Sequence, residues 1–278
     1  MVVFPLATCL FSKMNTRSTP DAGSLKRGVL LLKLLATAGP RGWPLTEIAS
    51  RAGLPHPSVH RVLQQLSAER LVDQHPELKR YRLGPLAFEL GIAGSTLYDI
   101  RDLCEPAMDQ LAKATGDTVY LVVRSGFDAV CMHRHEGSFP IRTLVLDVGS
   151  RRPLGVGAGG LAILAAIGDE EQSEVIERVE PMLHGFGRLT AAELTESCLH
   201  TRERGVALIQ NKINLGVTAV GHPFHNSLGQ AIGALSVAAL SQRMTNNRIN
   251  QIAVLLHKAC AEVEQQIRAQ RRSGWRAG

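Results

Sequence analysis

The stretch SRAGLPHPSVHRVLQQLSAERLV (residues 50–72) decides how the first third of this 278-residue chain is read. Gly53 is placed to stop one helix and Pro57 to open the next, because a proline at the first helical position forgoes an N–H that has no intrahelical partner there anyway. The helix so opened has two faces: Val59, Val62, Leu63 and Leu66 recur at helical spacing, and Ser58, His60, Arg61, Gln64 and Gln65 fill the other side. Upstream, Ser24 caps a helix from Leu25 to about Ala38, with a stripe of Leu25, Val29, Leu32 and Leu35/Ala36, ended by Gly39-Pro40 and Gly42. Thr46 caps a short helix, TEIASRA. Downstream, RLVDQ and RYRLG read as strands flanking the turn HPELK. Helix, helix–turn–helix and hairpin together predict a winged helix–turn–helix over residues 21–84.

Charge supports that reading. Residues 1–84 carry 12 basic and 5 acidic side chains, whereas residues 85–278 carry 19 and 20, so the excess positive charge is confined to the first third. This is the footprint of a nucleic-acid-binding module joined to a neutral one. Arg suits guanine edges and Gln adenine edges, while Ser and His reach bases or phosphates. The expected DNA-contacting residues are Arg27, Pro57, Ser58, His60, Arg61, Gln64, Arg80 and Arg82, with Lys26, Arg41 and Lys79 adding charge toward phosphates. The alternative is a solvated face of a protein–protein module.

The five cysteines (Cys9, Cys104, Cys131, Cys198, Cys260) are scattered, odd in number and never C-x-x-C, which points to buried thiols in a reducing, cytoplasmic setting. No apolar run approaches the roughly 18–20 residues that span a bilayer, so no membrane partner is expected. Residues 1–20 lack the basic start and cleavage site of a signal peptide and read as a disordered leader, with Met14 an alternative start. Residues 271–278 form a basic tail.

Beyond residue 84 a linker helix is expected over 85–100, with Leu86, Leu90, Ala93 and Leu97 on one face suited to a second copy of the chain, and a further helix with Pro106 near its start. The region 101–270 then reads as α+β. Strands are expected at 118–124, 129–135, 141–146, 206–210, 216–224 and 231–240, the last two joined by the turn HNSLGQ. Helices are expected after the Gly-rich segment 153–168, at 170–182, at 190–204 behind a Thr190/Glu193 capping box, and at 245–269. Gly155, Gly157, Gly159 and Gly160 allow close backbone approach and open a helix whose N–H groups favour an anion; a tight strand-to-helix turn is the plainer alternative. Neither G-x-x-x-x-G-K-[ST] nor a complete dinucleotide fingerprint is present, and no cofactor is expected.

The segments SLKRGVLLLKLLA, LTEIASRAGLPHPSVHRVLQQLSAERLV and RYRLGP resemble the DNA-binding domain of the IclR (isocitrate lyase regulator) family of bacterial transcriptional regulators. Ser24, Arg27, Leu45, Glu47, Ile48, Ala49, Gly53, Leu54, Pro55, Val59, His60, Arg61, Leu63, Tyr81, Arg82, Leu83 and Gly84 match the family pattern. Pro57 and Ser58 depart from the usual Ser/Gly and Thr. GDTVYLVVRSGFDAVCMHR, RRPLGVGAGGLAILA, RERGVAL and AIGALSVAA are similar to that family's C-terminal domain. The resemblance implies a GAF-like α/β fold with a curved antiparallel sheet and a pocket for a small metabolite. It also implies a homodimer or homotetramer on double-stranded operator DNA, beside a catabolic operon, and no enzymatic activity. Carried over, the effector-binding residues are Leu144, Ala158, Gly159, Gly160, Gln210, Asn211, Ala219 and Ser236. Where many members place carboxylates, this chain has Ile209-Gln210-Asn211-Lys212, which removes repulsion toward an anion; a small, partly apolar organic acid is the expected effector.

The rival reading is a metal-binding or hydrolytic C-terminal domain. Cys131, His133 and His135 alternate along one strand and so share a face, and His222 and His225 flank Pro223. Same-face neighbours on a strand stand roughly 6–7 Å apart, too far for three to meet one ion unless the strand bends. G-x-S-x-G and H-E-x-x-H are both absent.

Overall fold

The computed structural model describes residues 23–38, 41–93 and 98–274, which fall into two compact units divided between residues 95 and 96. The expected leader, Gly39-Pro40, Leu97 and residues 275–278 of the tail lie outside the described residues.

The first unit contains α1 (Ser24–Leu35), β1 (Trp43–Pro44), α2 (Leu45–Ala52), α3 (His56–Ala68), β2 (Val72–Gln74), β3 (Arg80–Leu83) and α4 (Pro85–Ala93). Its core is Leu31, Leu34 and Leu35 of α1, Ile48 and Ala49 of α2, Val59, Val62 and Leu63 of α3, and Val72 and Tyr81 of the hairpin. The apolar face of α3 is thus the expected one, but that of α1 is not. Leu25 and Val29 are exposed, and α1 turns Gly28 toward α3, where a Cβ would lie 3.8 Å from Leu66 Cδ2. Leucine fills α1 too evenly for spacing alone to choose the buried stripe. Ser24 proves to be the first helical residue behind Gly23, Pro44 precedes α2, and Pro57 is second in α3 after His56. Gly53 ends α2 in the left-handed conformation at φ 63°, as its position required. A third, unexpected strand, β1, pairs with β3, giving the sheet order β1-β3-β2.

The second unit runs α5 (Tyr98–Thr115), β4 (Thr118–Ser125), β5 (Asp128–His135), β6 (Arg151–Pro153), α6 (Gly157–Ala166), α7 (Asp169–Leu183), α8 (Ala191–Arg204), β7 (Ala207–Gln210), β8 (Val217–His225), β9 (Ala231–Leu240) and α9 (Asn246–Gly274). Six strands form one antiparallel sheet in the order β6-β5-β4-β9-β8-β7. Period-two alternation sends Val119, Leu121 and Val123 of β4 into a core shared with α5 and α9, and Tyr120 and Val122 into a second core with α6, α7 and α8. Burial on both faces explains why β4 reads as an unbroken apolar run.

Two expectations are corrected here. Pro106 lies inside α5 rather than near its start. The segment 141–146 is not a strand: its carbonyls are taken by side chains, with Tyr120 Oη donating to Thr143 O, Arg134 to Leu146 O at 3.2 Å and Arg152 to Val145 O at 2.7 Å, so no ladder partner is needed. The short strand β6 goes instead to Arg151–Pro153. The Thr190/Glu193 capping box is present, with both reciprocal bonds.

Candidate functional site

On α3, His60, Arg61 and Gln64 stand exposed, engaged by no other side chain among the described residues, while Val59, Val62 and Leu63 bury the opposite face. Pro57 is exposed and Ser58 half-buried at the helix start, and Arg27 is half-buried on α1. The wing is internally braced. Arg82 donates Nε and Nη2 to Asp73 Oδ2 at 3.0 and 2.8 Å across the β2–β3 pair. Arg80 donates Nε to Gly42 O at 3.0 Å and to Arg41 O at 3.2 Å, tying the wing to the turn before β1. Both arginines therefore hold the wing in shape, a duty that spacing along the chain does not show. At the wing tip, His75 Nδ1 accepts from the amides of Glu77 and Leu78, each at 3.3 Å, and Lys79 closes the turn with a positive φ of 52°.

In the second unit a cleft, partly open to solvent, lies between the sheet and the start of α6. The apolar walls are Val122, Val145, Leu146, Ile209, Ile213 and Val217. Polar groups converge at the α6 end. No side chain caps the N-terminus of α6, so the first amides of the helix, from Gly157 to Gly159, have no intrahelical acceptor. Ser236 of β9 is buried, with Oγ 3.6 Å from where a Gly159 Cβ would lie. Arg152 reaches the same end, its Nη1 3.7 Å from the position of a Cβ on Gly157 and its Cζ 6.0 Å from the centroid of the Phe186 ring. Burial pushes the Tyr120 and Cys131 side chains up to about 12, which keeps both neutral in the wall.

The glycines set how close the helix comes. A Cβ on Gly159 would sit 3.0 Å from Val122 Cγ2, and one on Gly221 of β8 only 2.5 Å from Ala158 O. They are required by helix–sheet approach as well as by the turn, where Gly155 and Gly157 adopt φ of 98° and 79°.

Of the expected effector residues, Ala158, Gly159, Gly160, Ala219 and Ser236 line the cleft. Leu144, Gln210 and Asn211 do not. Leu144 is half-exposed while its neighbours Val145 and Leu146 turn inward. Gln210 ends β7 facing a separate surface groove, beside Lys212, which pairs with Glu193 at 2.8 Å. Asn211 adopts a positive φ of 52° and spends Oδ1 on Gly216 N and Ser241 Oγ, each at 2.9 Å, closing the β7–β8 turn. The cleft takes Ile209, Ile213 and Asn214 from this segment instead. Arg152 and Tyr120 went unread in the sequence; the available signal was a basic residue five positions before the first helical glycine.

The proposed ligand set Cys131/His133/His135 is not assembled. A bulge in the β4–β5 register, with Leu121 opposite His133 and Val122 opposite Cys131, leaves Met132 extra and resets the alternation. Cys131 faces the α6 side, whereas His133 and His135 face α5, where Glu105 Oε2 lies 2.7 Å from His133 Nε2. Burial holds the His133 imidazole below its ordinary value. His225 pairs with Glu264 at 2.8 Å and His222 with His257 at 3.2 Å, so these two also serve different partners.

A winged helix–turn–helix carrying the chain's positive charge, followed by a sheet-and-helix domain with a polar-ended cleft, defines a DNA-binding transcriptional regulator with a C-terminal effector domain. Family models agree over most of the chain: the IclR helix-turn-helix domain matches residues 24–76 and the bacterial transcriptional regulator IclR C-terminal domain matches residues 95–265. The chain belongs to the IclR family. It is 34% identical over 224 residues to the glycerol operon regulatory protein of Streptomyces griseus, covering 80% of this chain and 86% of that one. The IclR regulator structure from Alicyclobacillus acidocaldarius superposes with a TM-score of 0.69 at 25% identity, covering 89% of this chain and all of that one. An IclR homologue from Microbacterium hydrocarbonoxydans, solved with 4-hydroxybenzoate, shares the fold with a TM-score of 0.68 at 23% identity, over 89% of this chain and 100% of that chain.

Proposed function

We propose that the protein binds operator DNA as a dimer or tetramer through α3 and the wing, and that a small organic acid in the cleft changes that binding. The observation that carries the effector reading is the convergence of Arg152, the uncapped start of α6 and buried Ser236 at one end of an otherwise apolar cleft. A cation beside free helix N–H groups favours a carboxylate, and the walls favour an apolar or aromatic remainder. That a protein of the same fold takes 4-hydroxybenzoate accords with this chemistry. On the DNA side, Arg61 and Gln64 are the expected base readers, and Arg27, Ser58 and His60 hold register. Arg80 offers both outer guanidinium nitrogens, and Arg82 its Nη1, to phosphates from a braced wing. Phe88 and Leu90, exposed on α4, supply apolar surface for a second copy. The ligand acts only through different affinities for the DNA-bound and free states.

The test is calorimetry of the full chain against a panel of aliphatic and aromatic carboxylic acids, paired with a DNA shift assay. Binding of at least one acid, weakened about tenfold or more by Arg152→Met through loss of a charge-assisted hydrogen bond, is the expected result. Silence across the panel, or affinity unchanged by Arg152→Met, refutes the assignment.

A further inference from the structure

Glu105, His133 and His135 form a cluster that neither DNA reading nor the cleft employs. Glu105 comes from α5, and the bulge at Met132 turns both histidines of β5 toward it. His133 Nε2 lies 2.7 Å from Glu105 Oε2 and His135 Nδ1 lies 3.4 Å from Glu105 Oε1. One ligand atom from each residue falls within 4.8 Å of the other two. Zinc-type bonds of about 2.0–2.2 Å place tetrahedral ligand atoms roughly 3.3–3.6 Å apart. The cluster thus needs only a small outward movement of the half-exposed Glu105 to admit an ion.

A second feature separates this cluster from an incidental ion pair. Asp109, one turn further along α5, sets Oδ1 3.5 Å from His135 Nε2, and Lys113 holds the other oxygen of Asp109 at 2.6 Å. A carboxylate behind an imidazole fixes the tautomer of a metal-ligating histidine. With the proton on Nε2 facing Asp109, the Nδ1 lone pair faces Glu105.

We propose that Glu105, His133 and His135 bind one first-row divalent transition-metal ion of the Zn²⁺ type, with solvent in the fourth position. Two imidazoles and one carboxylate select such ions over Mg²⁺ and Ca²⁺, which take oxygen ligands. Arg101, on the same helix, opposes the ion's charge at His133, and the Glu105 carboxylate offsets part of it. The bound ion pins α5, the first helix of the second unit, to β5.

The experiment uses the full chain, freed of any affinity tag and treated with chelator, titrated with Zn²⁺ by calorimetry and with Co²⁺ by visible absorption. One equivalent binds with Kd below about 10 μM. The Co²⁺ complex shows tetrahedral d–d bands and no thiolate charge-transfer band, because Cys131 faces the other way. Glu105→Gln, His133→Gln and His135→Gln each weaken binding tenfold or more, and Asp109→Asn weakens it about tenfold. Cys131→Ser and His222→Gln leave binding unchanged. The rise in melting temperature that saturating Zn²⁺ gives the parent protein disappears in Glu105→Gln, whose half-exposed position keeps that variant folded. Absence of stoichiometric binding to the parent protein, its survival in the His133→Gln/His135→Gln double variant, or its loss in Cys131→Ser or His222→Gln overturns the proposal.

Discussion

Gly221→Ala should loosen the α6 end of the cleft and destabilise the second unit together. Gly221 has no left-handed φ, so the strand conformation itself accepts alanine; only space excludes the side chain. The added Cβ would lie 2.5 Å from Ala158 O, 2.7 Å from Ala158 C and 3.1 Å from Gly159 N, all backbone atoms that cannot swing aside. Ordinary carbon–oxygen contacts run about 3.3–3.6 Å, so the start of α6 must retreat by about 1 Å. Overpacking of this size costs roughly 1–3 kcal/mol. For a unit of this length each kcal/mol lowers Tm by about 2–4 °C, giving a fall of roughly 2–12 °C. Gly221 pairs in register with Ser236, so the same retreat separates the helix amides from the Ser236 hydroxyl and should weaken carboxylate binding about tenfold. Thermal unfolding of the full chain and calorimetry with a binding acid provide the two readouts. Gly185→Ala is the control: its Cβ meets only Met182 O at 3.5 Å and should shift stability by less than about 0.5 kcal/mol. If Gly221→Ala matches that control in both readouts, the close helix–sheet approach does not set the geometry of the cleft.

Arg61→Ala should relax discrimination at one operator base by ~1–3 kcal/mol in competition shift assays. Because Arg61 is exposed and unpaired among the described residues, its replacement should leave thermal unfolding of the first unit unchanged. Asp117→Asn should destabilise the second unit by about 3 kcal/mol in denaturant titration, since the buried carboxylate bridges Arg243 and Arg248 at 2.6 Å each and joins α9 to the start of β4. For pH, burial lowers the His222 imidazole below its ordinary value, so the unfolded chain takes up its proton first. Stability should therefore fall as pH drops below about 6.5, by at most about 1.4 kcal/mol per unit from this residue. His222→Gln should flatten that slope in unfolding curves between pH 7.5 and 5.5.

The first unit was largely legible because its signals are local. Gly53 at a left-handed stop, a proline just inside α3 and a polar face of Ser58, His60, Arg61 and Gln64 need only a few residues of context. Spacing does not give the buried stripe of α1, because its six leucines offer two competing faces, and packing against Leu66 chooses between them. In the second unit the strands 118–124 and 129–135 were readable from apolar runs. IRTLVL was not, because nothing in its own residues says that Tyr120, Arg134 and Arg152 will occupy its carbonyls.

The succession of α1, α2, α3 and the hairpin, the confinement of positive charge to residues 1–84, the polar face of α3 and the glycine-opened start of α6 were determined by the sequence alone, since each rests on propensity, spacing or composition within a short window. The membership of the cleft and the companions of each histidine were decided by tertiary structure. One extra residue at Met132 sent Cys131 to one side of the sheet and His133 to the other, and a left-handed Asn211 turned Gln210 and Lys212 away from a pocket that Arg152 enters from another strand. Register and side-chain direction follow from pairing across the sheet, and pairing partners lie too far apart in the chain for local pattern to specify them.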